Sequence, residues 1–505
     1  MKYRPLMVLG TGSDVGKSLM VAALCRIMAQ DGVRVAPFKA QNMALNSFIT
    51  PEGGEMGRAQ VVQAQAAGLT PHVDMNPILL KPMSAVGSQV IVSGKVYGNF
   101  SAAEYYRHKP KLVRRVMASF RRLAGAHDLI ILEGAGSAAE LNLKAHDLVN
   151  FSMAKRAGAA VLLVADIDRG GVFAATIGTH HLLTRTERRL LEGFIINKFR
   201  GDISLFAAGT EIIARRTGKP VLGVVPYARD LHLPQEDSVY LDRRGARGGE
   251  AGDGQVRIGV VRLPHISNYT DFDPLEQEPG VSLRYVGGGE TLEGLDLVIL
   301  PGTKNTIGDL GWLEQTGLAG RIRDYAGAGG RVIGICGGYQ ILGQSVRDPL
   351  GVEGHTPEAA GLGLLPVTTT MAGDKTTTQV EAAAAGLPGL EGTVAGYEIH
   401  MGVSRARGPG RPAFRITRSL GEAADLEDGW AEPTGRVWGT YIHGALDADG
   451  FRRALLGELR RERGLAGGEA TEHGFAAFQE GQFDALAELV RQHVDVERIK
   501  RIVGM

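Results

Sequence analysis

Gly10-Thr11-Gly12-Ser13-Asp14-Val15-Gly16-Lys17-Ser18 stands between a short apolar run at residues 6–9 and a second apolar stretch that opens at Leu19. A buried strand, a glycine-rich turn and a helix N-terminus in that order make an anion cradle. The glycines let successive backbone N–H groups converge, and the helix dipole favours negative charge at the turn. In such a turn the lysine, here Lys17, reaches the β- and γ-phosphates of a nucleotide, and the hydroxyl of Ser18 is placed for Mg²⁺. The pattern departs from the strict G-x-x-x-x-G-K-[ST] form at Thr11. Candidate nucleotide contacts are Gly12, Asp14, Val15, Gly16, Lys17 and Ser18.

Outward from this turn, strands and helices alternate. Apolar runs at 33–37, 129–132, 160–165 and 193–196 read as buried parallel strands, and 19–30, 111–123 and 148–156 carry helical periodicity. This is the pattern of a doubly wound parallel sheet, with ligands beyond the carboxyl ends of its strands. Residues 41–100 are too many for a simple crossover and are expected to hold a helix at 57–67 and loops over a substrate. Residues 242–254, Asp-Arg-Arg-Gly-Ala-Arg-Gly-Gly-Glu-Ala-Gly-Asp-Gly, read as a linker. A second α/β pattern follows, with strands at 256–262, 297–300, 331–335 and 435–442. The expected organisation is two doubly wound α/β domains, 1–241 and 255–450, and a helical extension, 451–505. In that extension Phe483, Leu486, Leu489 and Val490 form an apolar stripe.

Composition narrows the function classes. A chain of 505 residues exceeds one core. The 44% apolar and 22% charged fractions are those of ordinary globular protein. A net charge of +1 gives no overall electrostatic basis for binding nucleic acid or an acidic membrane surface. No run of about 18 apolar residues suggests a span, and the phosphate turn interrupts any leader pattern. Cys25 and Cys336, the two cysteines, cannot build a disulfide framework. A cytoplasmic enzyme is expected.

Candidate chemistry in the first half sits at strand ends. Glu133 closes 129–132 and is followed by Gly134-Ala135-Gly136, where a carboxylate reaches Mg²⁺ directly or through water. Asp166, Asp168 and Arg169 follow another strand and either line the site or form a loop salt bridge. Asn197 ends a third strand and can bond a purine edge, with Pro226 against the ring. Lys39 follows the second strand and points to phosphate or a substrate carboxylate. Arg58 and Lys81, in the long insertion, are carboxylate-binding candidates, although such residues are singly more often surface charges.

In the second half, Arg331-Val332-Ile333-Gly334-Ile335-Cys336-Gly337-Gly338-Tyr339-Gln340 is a strand, a sharp turn and a helix, the cysteine form of a nucleophile elbow. Small flanking residues permit the turn, and a helix N-terminus favours thiolate. The Gly337 N–H, with a second donor from the turn at Gly302, can form an oxyanion hole. Cys25, mid-helix, reads as a core residue. Two histidines end downstream strands. His443, followed by Gly444, is the favoured base, and His400 is assigned to substrate or structure. No third, orienting carboxylate is evident.

These motifs resemble class I glutamine amidotransferases in the second half and the dethiobiotin synthetase group of ATP enzymes in the first. As an ordered set they resemble the cobyric acid synthase family of cobalamin biosynthesis. The marks are Lys39-Ala40-Gln41-Asn42-Met43, Leu45-Asn46-Ser47, Arg58-Ala59-Gln60, Met75-Asn76-Pro77, Leu80-Lys81-Pro82, Glu133 to Ser137, Glu140 to Leu143, Asp166 to Gly171 and Cys336 to Gln340. The resemblance runs from about residue 4 to the C-terminus. It implies that Cys336 and His443 release ammonia from glutamine. The first half would use ATP and Mg²⁺, held at Ser18 and Glu133, to phosphorylate carboxylates b, d, e and g of adenosylcobyrinic acid a,c-diamide, which ammonia amidates. It also adds Gln41 and Asn42 to Lys39, Arg58 and Lys81 as substrate or phosphate contacts. Many class I enzymes carry Glu two residues after the catalytic histidine; here Gly444 and Ala445 follow His443. The rival readings are a cobyrinic acid a,c-diamide synthase and a partitioning ATPase. The latter often carries a signature lysine where Gly12 stands.

Overall fold

The computed structural model describes residues 1–83, 87–228, 230–234, 254–354, 356–465 and 474–505. They form two compact units. The first comprises Met1–Met43, Met56–Pro234 and Gln479–Met505; the second comprises Ala44–Glu55 and Gln235–Phe478. Apart from Gly254, the linker expected over 242–254 lies outside the described residues.

The first unit is built on a six-stranded sheet in the order Val221–Pro226, Leu191–Phe199, Ala160–Asp166, Leu6–Gly10, Leu129–Glu133, Val35–Phe38. Every pairing is parallel. The central strands are apolar throughout because helices cover both faces, which is why they read as continuous runs and not as alternation. Helix Lys17–Gln30 buries Met20, Val21, Leu24, Cys25, Ile27 and Met28. The tail stripe joins the same core, where Phe483, Leu486, Val490 and Ile499 are buried.

The long insertion differs from its expectation. It contains the helix Arg58–Ala66, but also a four-stranded sheet of Asn42–Met43, Ile78–Pro82, Gly87–Val92 and Lys95–Ser101. Helix Ala102–Ala126 starts well before residue 111. Its start is fixed by a capping box in which Glu104 accepts from the Ser101 N–H at 2.9 Å and Ser101 Oγ accepts from the Glu104 N–H at 3.4 Å.

The second unit has a parallel sheet ordered Val281–Val286, Val256–Val261, Leu297–Leu300, Arg331–Ile335, Val437–Thr440, edged by antiparallel Trp430–Ala431. A further, mostly antiparallel sheet is dominated by the paired strands Val367–Ala384 and Thr393–Ala406. Short strand Ile442–His443 pairs with the second of these at Tyr397 and Glu398. Those long strands are rich in Thr, Ala and Gly, so their apolar signal is too diluted to read in advance.

Acid stability should depend on Glu187. This buried carboxylate bonds Lys144 Nζ at 2.6 Å, Lys155 Nζ at 3.0 Å and the Thr184 N–H at 2.9 Å. Burial opposes its ionisation, but these partners outweigh burial and hold its pKa at about 2. A depressed carboxylate contributes stability above its ordinary pKa and loses it as pH falls toward the folded value. The difference in melting temperature between wild type and Glu187→Gln should be greatest above pH 4.5 and should close between pH 4.5 and 2.

Candidate active sites

In the first unit, parallel strands deliver Gly10, Lys39, Glu133, Asp166 and Asn197 to one edge of the sheet. The turn after Gly10 depends on left-handed backbone at Asp14 (φ 56°) and Gly16 (φ 100°). Lys17 Nζ folds back over it, donating to Gly12 O at 2.8 Å and to Gly136 O at 3.0 Å. Asn197 braces the turn from the side, with Nδ2 on Val15 O at 2.9 Å; a Cβ at Gly16 would meet that nitrogen at 2.1 Å. Asp14 bonds Arg169 at 3.0 Å, and Asp166 pairs with Lys198 at 2.9 Å. Arg200 bridges to Asp168 at 2.5 Å and lies over the Tyr227 ring. The Asp166–Arg169 segment thus forms ion pairs around the turn.

Glu133 is 1% exposed. Its Oε1 accepts from Ser18 Oγ and Lys39 Nζ, each at 2.9 Å, and its Oε2 accepts from Gln63 Nε2 at 2.5 Å and Gln60 Nε2 at 3.4 Å. Burial pushes the carboxyl up, but Lys39, with Gln63 and Lys17 behind it, holds it below the usual carboxylate range. Asn42 Nδ2 donates to Gln60 Oε1 at 2.9 Å and so joins the cluster. A hydroxyl beside one carboxylate is a hard oxygen set, which suits Mg²⁺, an ion that keeps waters and phosphates as its other ligands. Beside the cradle lies a cavity of about 520 Å³ whose wall includes Gln41, Met43, Phe100, Tyr105, Gly136 and Lys144. Gln41 accepts from Tyr105 OH there at 2.6 Å. Arg58 and Lys81 are buried, not surface charges.

In the second unit, Cys336 follows strand Arg331–Ile335 and precedes helix Gly337–Leu342, at φ 53° and ψ −108°. A non-glycine residue held there stores strain, of order 1–3 kcal/mol. The turn is possible because its neighbours lack side chains: a Cβ at Gly338 would lie 2.0 Å from Leu300 O, and one at Gly337 would lie 2.5 Å from Thr303 Cγ2. Gly302 is also close-packed, though less severely, since its Cβ would stand 3.0 Å from His443 Cε1. Cys336, His443, Gly302 and Gly337 therefore converge as their sequence positions suggest.

The structure also places a carboxylate beside His443 that the sequence did not reveal. Asp271 Oδ2 lies 2.6 Å from His443 Nδ1, and its Oδ1 accepts from the Gly444 N–H at 3.1 Å. It comes from the loop after strand Val256–Val261, 172 positions from His443. Burial works against protonation of His443, but Asp271 and the neighbouring Cys336 outweigh it and raise its pKa to about 10, while the Cys336 thiol itself donates to Ile399 O at 3.5 Å. His400 bonds and stacks with residues outside this dyad. Its Nδ1 is 2.8 Å from Gly402 O and its ring stacks on Tyr441 at 3.7 Å, while burial lowers its pKa to about 4. It is a neutral, packed imidazole. Cys25 is buried in its helix, as a core residue should be.

A phosphate cradle on a parallel sheet and a Cys-His-Asp centre on an elbow define a nucleotide-dependent glutamine amidotransferase. Residues 6–239 match the CobQ/CobB/MinD/ParA nucleotide binding domain, and 257–451 match the CobB/CobQ-like glutamine amidotransferase domain. The chain is 56% identical to the cobyric acid synthase of Syntrophobacter fumaroxidans, covering 100% of this chain and 99% of that one. It is 52% identical to that of Moorella thermoacetica (99% and 98%) and 50% identical to that of Desulforudis audaxviator (100% of both). The chain belongs to the cobyric acid synthase family. Among the described residues no helix is long and apolar enough to cross a membrane.

Asp271→Asn should remove the charge that stabilises the imidazolium. The pKa of His443 then falls, so the imidazolium is lost at lower pH. The alkaline limb of glutamate release should move down in pH, with kcat reduced about tenfold or more. An unmoved limb would show that the carboxylate does not govern the histidine. Separately, Cys336→Gly should be more stable to denaturant than Cys336→Ala, by roughly 1–2 kcal/mol, because only glycine relieves the elbow.

Proposed function

We propose that this chain converts the b, d, e and g carboxylates of adenosylcobyrinic acid a,c-diamide to amides, giving cobyric acid, with ATP as activator and glutamine as nitrogen source. The observation that carries the reading is the presence of two separate reactive clusters, Lys17–Ser18–Glu133 and Cys336–His443–Asp271, in a chain colinear with cobyric acid synthases. Neither cluster alone explains the other. The nucleotide-domain match extends to partitioning ATPases by its description, but those lack any need for an elbow cysteine.

In the glutaminase centre, Cys336 Sγ attacks the side-chain amide carbon of glutamine. Backbone N–H groups at Gly337 and at the Gly302 turn receive the developing oxyanion. His443, oriented by Asp271, passes a proton to the departing ammonia, and water then hydrolyses the thioester. In the other centre a carboxylate must gain a leaving group before ammonia can displace it, so the γ-phosphoryl group passes to the substrate to form an acyl phosphate. Lys17 and Lys39 offset phosphate charge, and the N–H groups of residues 12–18 hold the polyphosphate. Ser18 and Glu133 would hold Mg²⁺, whose chemistry is to neutralise charge on the phosphates. The cavity beside Gly136 suits the edge of a corrin, with Met43, Phe100 and Tyr105 for its apolar rim and Lys144 for an acidic arm.

Purified protein given ATP, Mg²⁺, glutamine and the a,c-diamide should yield a product carrying four added amides, read by mass spectrometry. Cys336→Ser should abolish the glutamine-driven reaction and preserve the ammonia-driven one. No amidation with either nitrogen source would overturn the assignment. Amidation that stops at the a and c positions of the unamidated precursor would favour the diamide synthase.

A further inference from the structure

Residues 44–55 interrupt the first unit in sequence yet fold as part of the second. Their contacts there are specific and buried. Asn268 N–H donates to Asn46 Oδ1 at 2.7 Å, and Ser47 N–H donates back to Asn268 Oδ1 at 3.0 Å. Tyr397 OH donates to Ser47 O at 3.1 Å and lies 3.3 Å from Asn268 Nδ2. Phe48 packs edge-on against Tyr397, and Ile49 with Tyr397 and Ile399 forms a small apolar cluster. Further along, Gln379 Nε2 donates to Ile49 O at 2.7 Å, Thr377 Oγ1 to Gly53 O at 3.0 Å, and Lys375 pairs with Glu55 at 2.5 Å.

Each end of this network is one step from the reactive dyad. Asn268, at φ 53°, caps the short turn Tyr269–Phe272 that carries Asp271, and Asp271 N–H donates to Asn268 O at 3.1 Å. Asparagine tolerates left-handed backbone, and here its main-chain N–H and its side-chain oxygen are engaged by Asn46 and Ser47 from a distant part of the sequence. Tyr397 stacks on the His443 ring at 5.3 Å and pairs with His443 in the sheet. Both members of the Asp271–His443 pair are thus braced by residues 46–48. The segment continues at one end into Asn42 and at the other into Gln60, which bond each other beside Glu133.

We propose that residues 44–55 are a positioning strap for Asp271 and His443, lent by the nucleotide-binding half of the sequence, so that glutamine hydrolysis responds to the state of that half. The proposal rests on the functional reading above. Asn46 and Tyr397 act through Asp271 and His443 and touch no reacting atom. Because both ends of the strap run into the Glu133 cluster, filling the nucleotide and carboxylate sites would alter its tension without any new contact to glutamine.

The test uses the full chain with Asn46→Ala, which removes the acceptor for the Asn268 N–H, and Tyr397→Phe, which keeps the ring and removes the hydroxyl that bonds Ser47 O and Asn268 Nδ2. Both should lower kcat for glutamate release about tenfold with KM for glutamine within about twofold. The alkaline limb should shift to lower pH, and the stimulation of glutamate release by ATP plus the a,c-diamide should fall toward one. Ammonia-driven amidation should stay at the wild-type rate. A folded variant with the wild-type kcat, pH profile and stimulation overturns the strap, as does parallel loss of the ammonia-driven reaction. Should Asn46→Ala fail to fold, Tyr397→Phe decides alone. If the wild-type chain does not amidate the corrinoid at all, the functional reading fails, and the rate and pH profile with glutamine alone still decide whether the strap positions the dyad.

Discussion

A parallel strand buried on both faces must end abruptly, and its last residue passes from an apolar core to a polar rim within one peptide. Both reactive centres exploit that constraint. Lys39, Glu133 and the phosphate turn leave three strands of one sheet on the same edge. Gly302, Cys336 and the loop carrying Asp271 do so in the other sheet, and His443 follows its neighbouring strand Val437–Thr440. Because these strands are rigid and in register, side chains far apart in sequence meet within hydrogen-bond distance at no further cost in chain entropy.

The rim position also explains how a fully buried Glu133 stays ionised. An isolated carboxylate in such surroundings would take up a proton. Lys39 provides the opposing charge, and Ser18 and the two glutamines fill the remaining lone pairs. Breaking a buried pair of this kind costs about 3–5 kcal/mol, so Lys39 is held on Glu133 as firmly as a core residue is packed. His443 obeys the same electrostatics with the signs reversed. Its imidazolium is buried but faces Asp271 and Cys336, and this outweighs desolvation.

What could be read in advance was local. The phosphate turn and the elbow each fit within about ten residues, and their chemistry depends on glycine positions that sequence states directly. The parallel strands were visible for the same reason, as short apolar runs between turn signals. Asp271 was not visible, because its role arises from the pairing order of two strands and not from any spacing to His443. The insertion sheet at Asn42–Met43 to Lys95–Ser101 was missed because lysine, glycine, proline and polar residues break up the apolar runs of its strands, and nothing in the spacing around the candidates Arg58 and Lys81 showed that they would be buried. The assignment of Ala44–Glu55 to the second unit could not be inferred at all, since nothing in its composition marks a change of partner.

That last feature bears on why two chemistries share one chain. Glutamine hydrolysis without an activated acceptor wastes a nitrogen donor, so its rate has to depend on events elsewhere. A dyad whose carboxylate follows a left-handed asparagine depends on the hydrogen bonds that hold that residue in place. Here those bonds come from Asn46 and Ser47, residues that lie in sequence between two parts of the nucleotide-binding unit. The carboxylate beside the imidazole, that of Asp271, thus stands on a turn whose capping residue, Asn268, is held by Asn46 and Ser47.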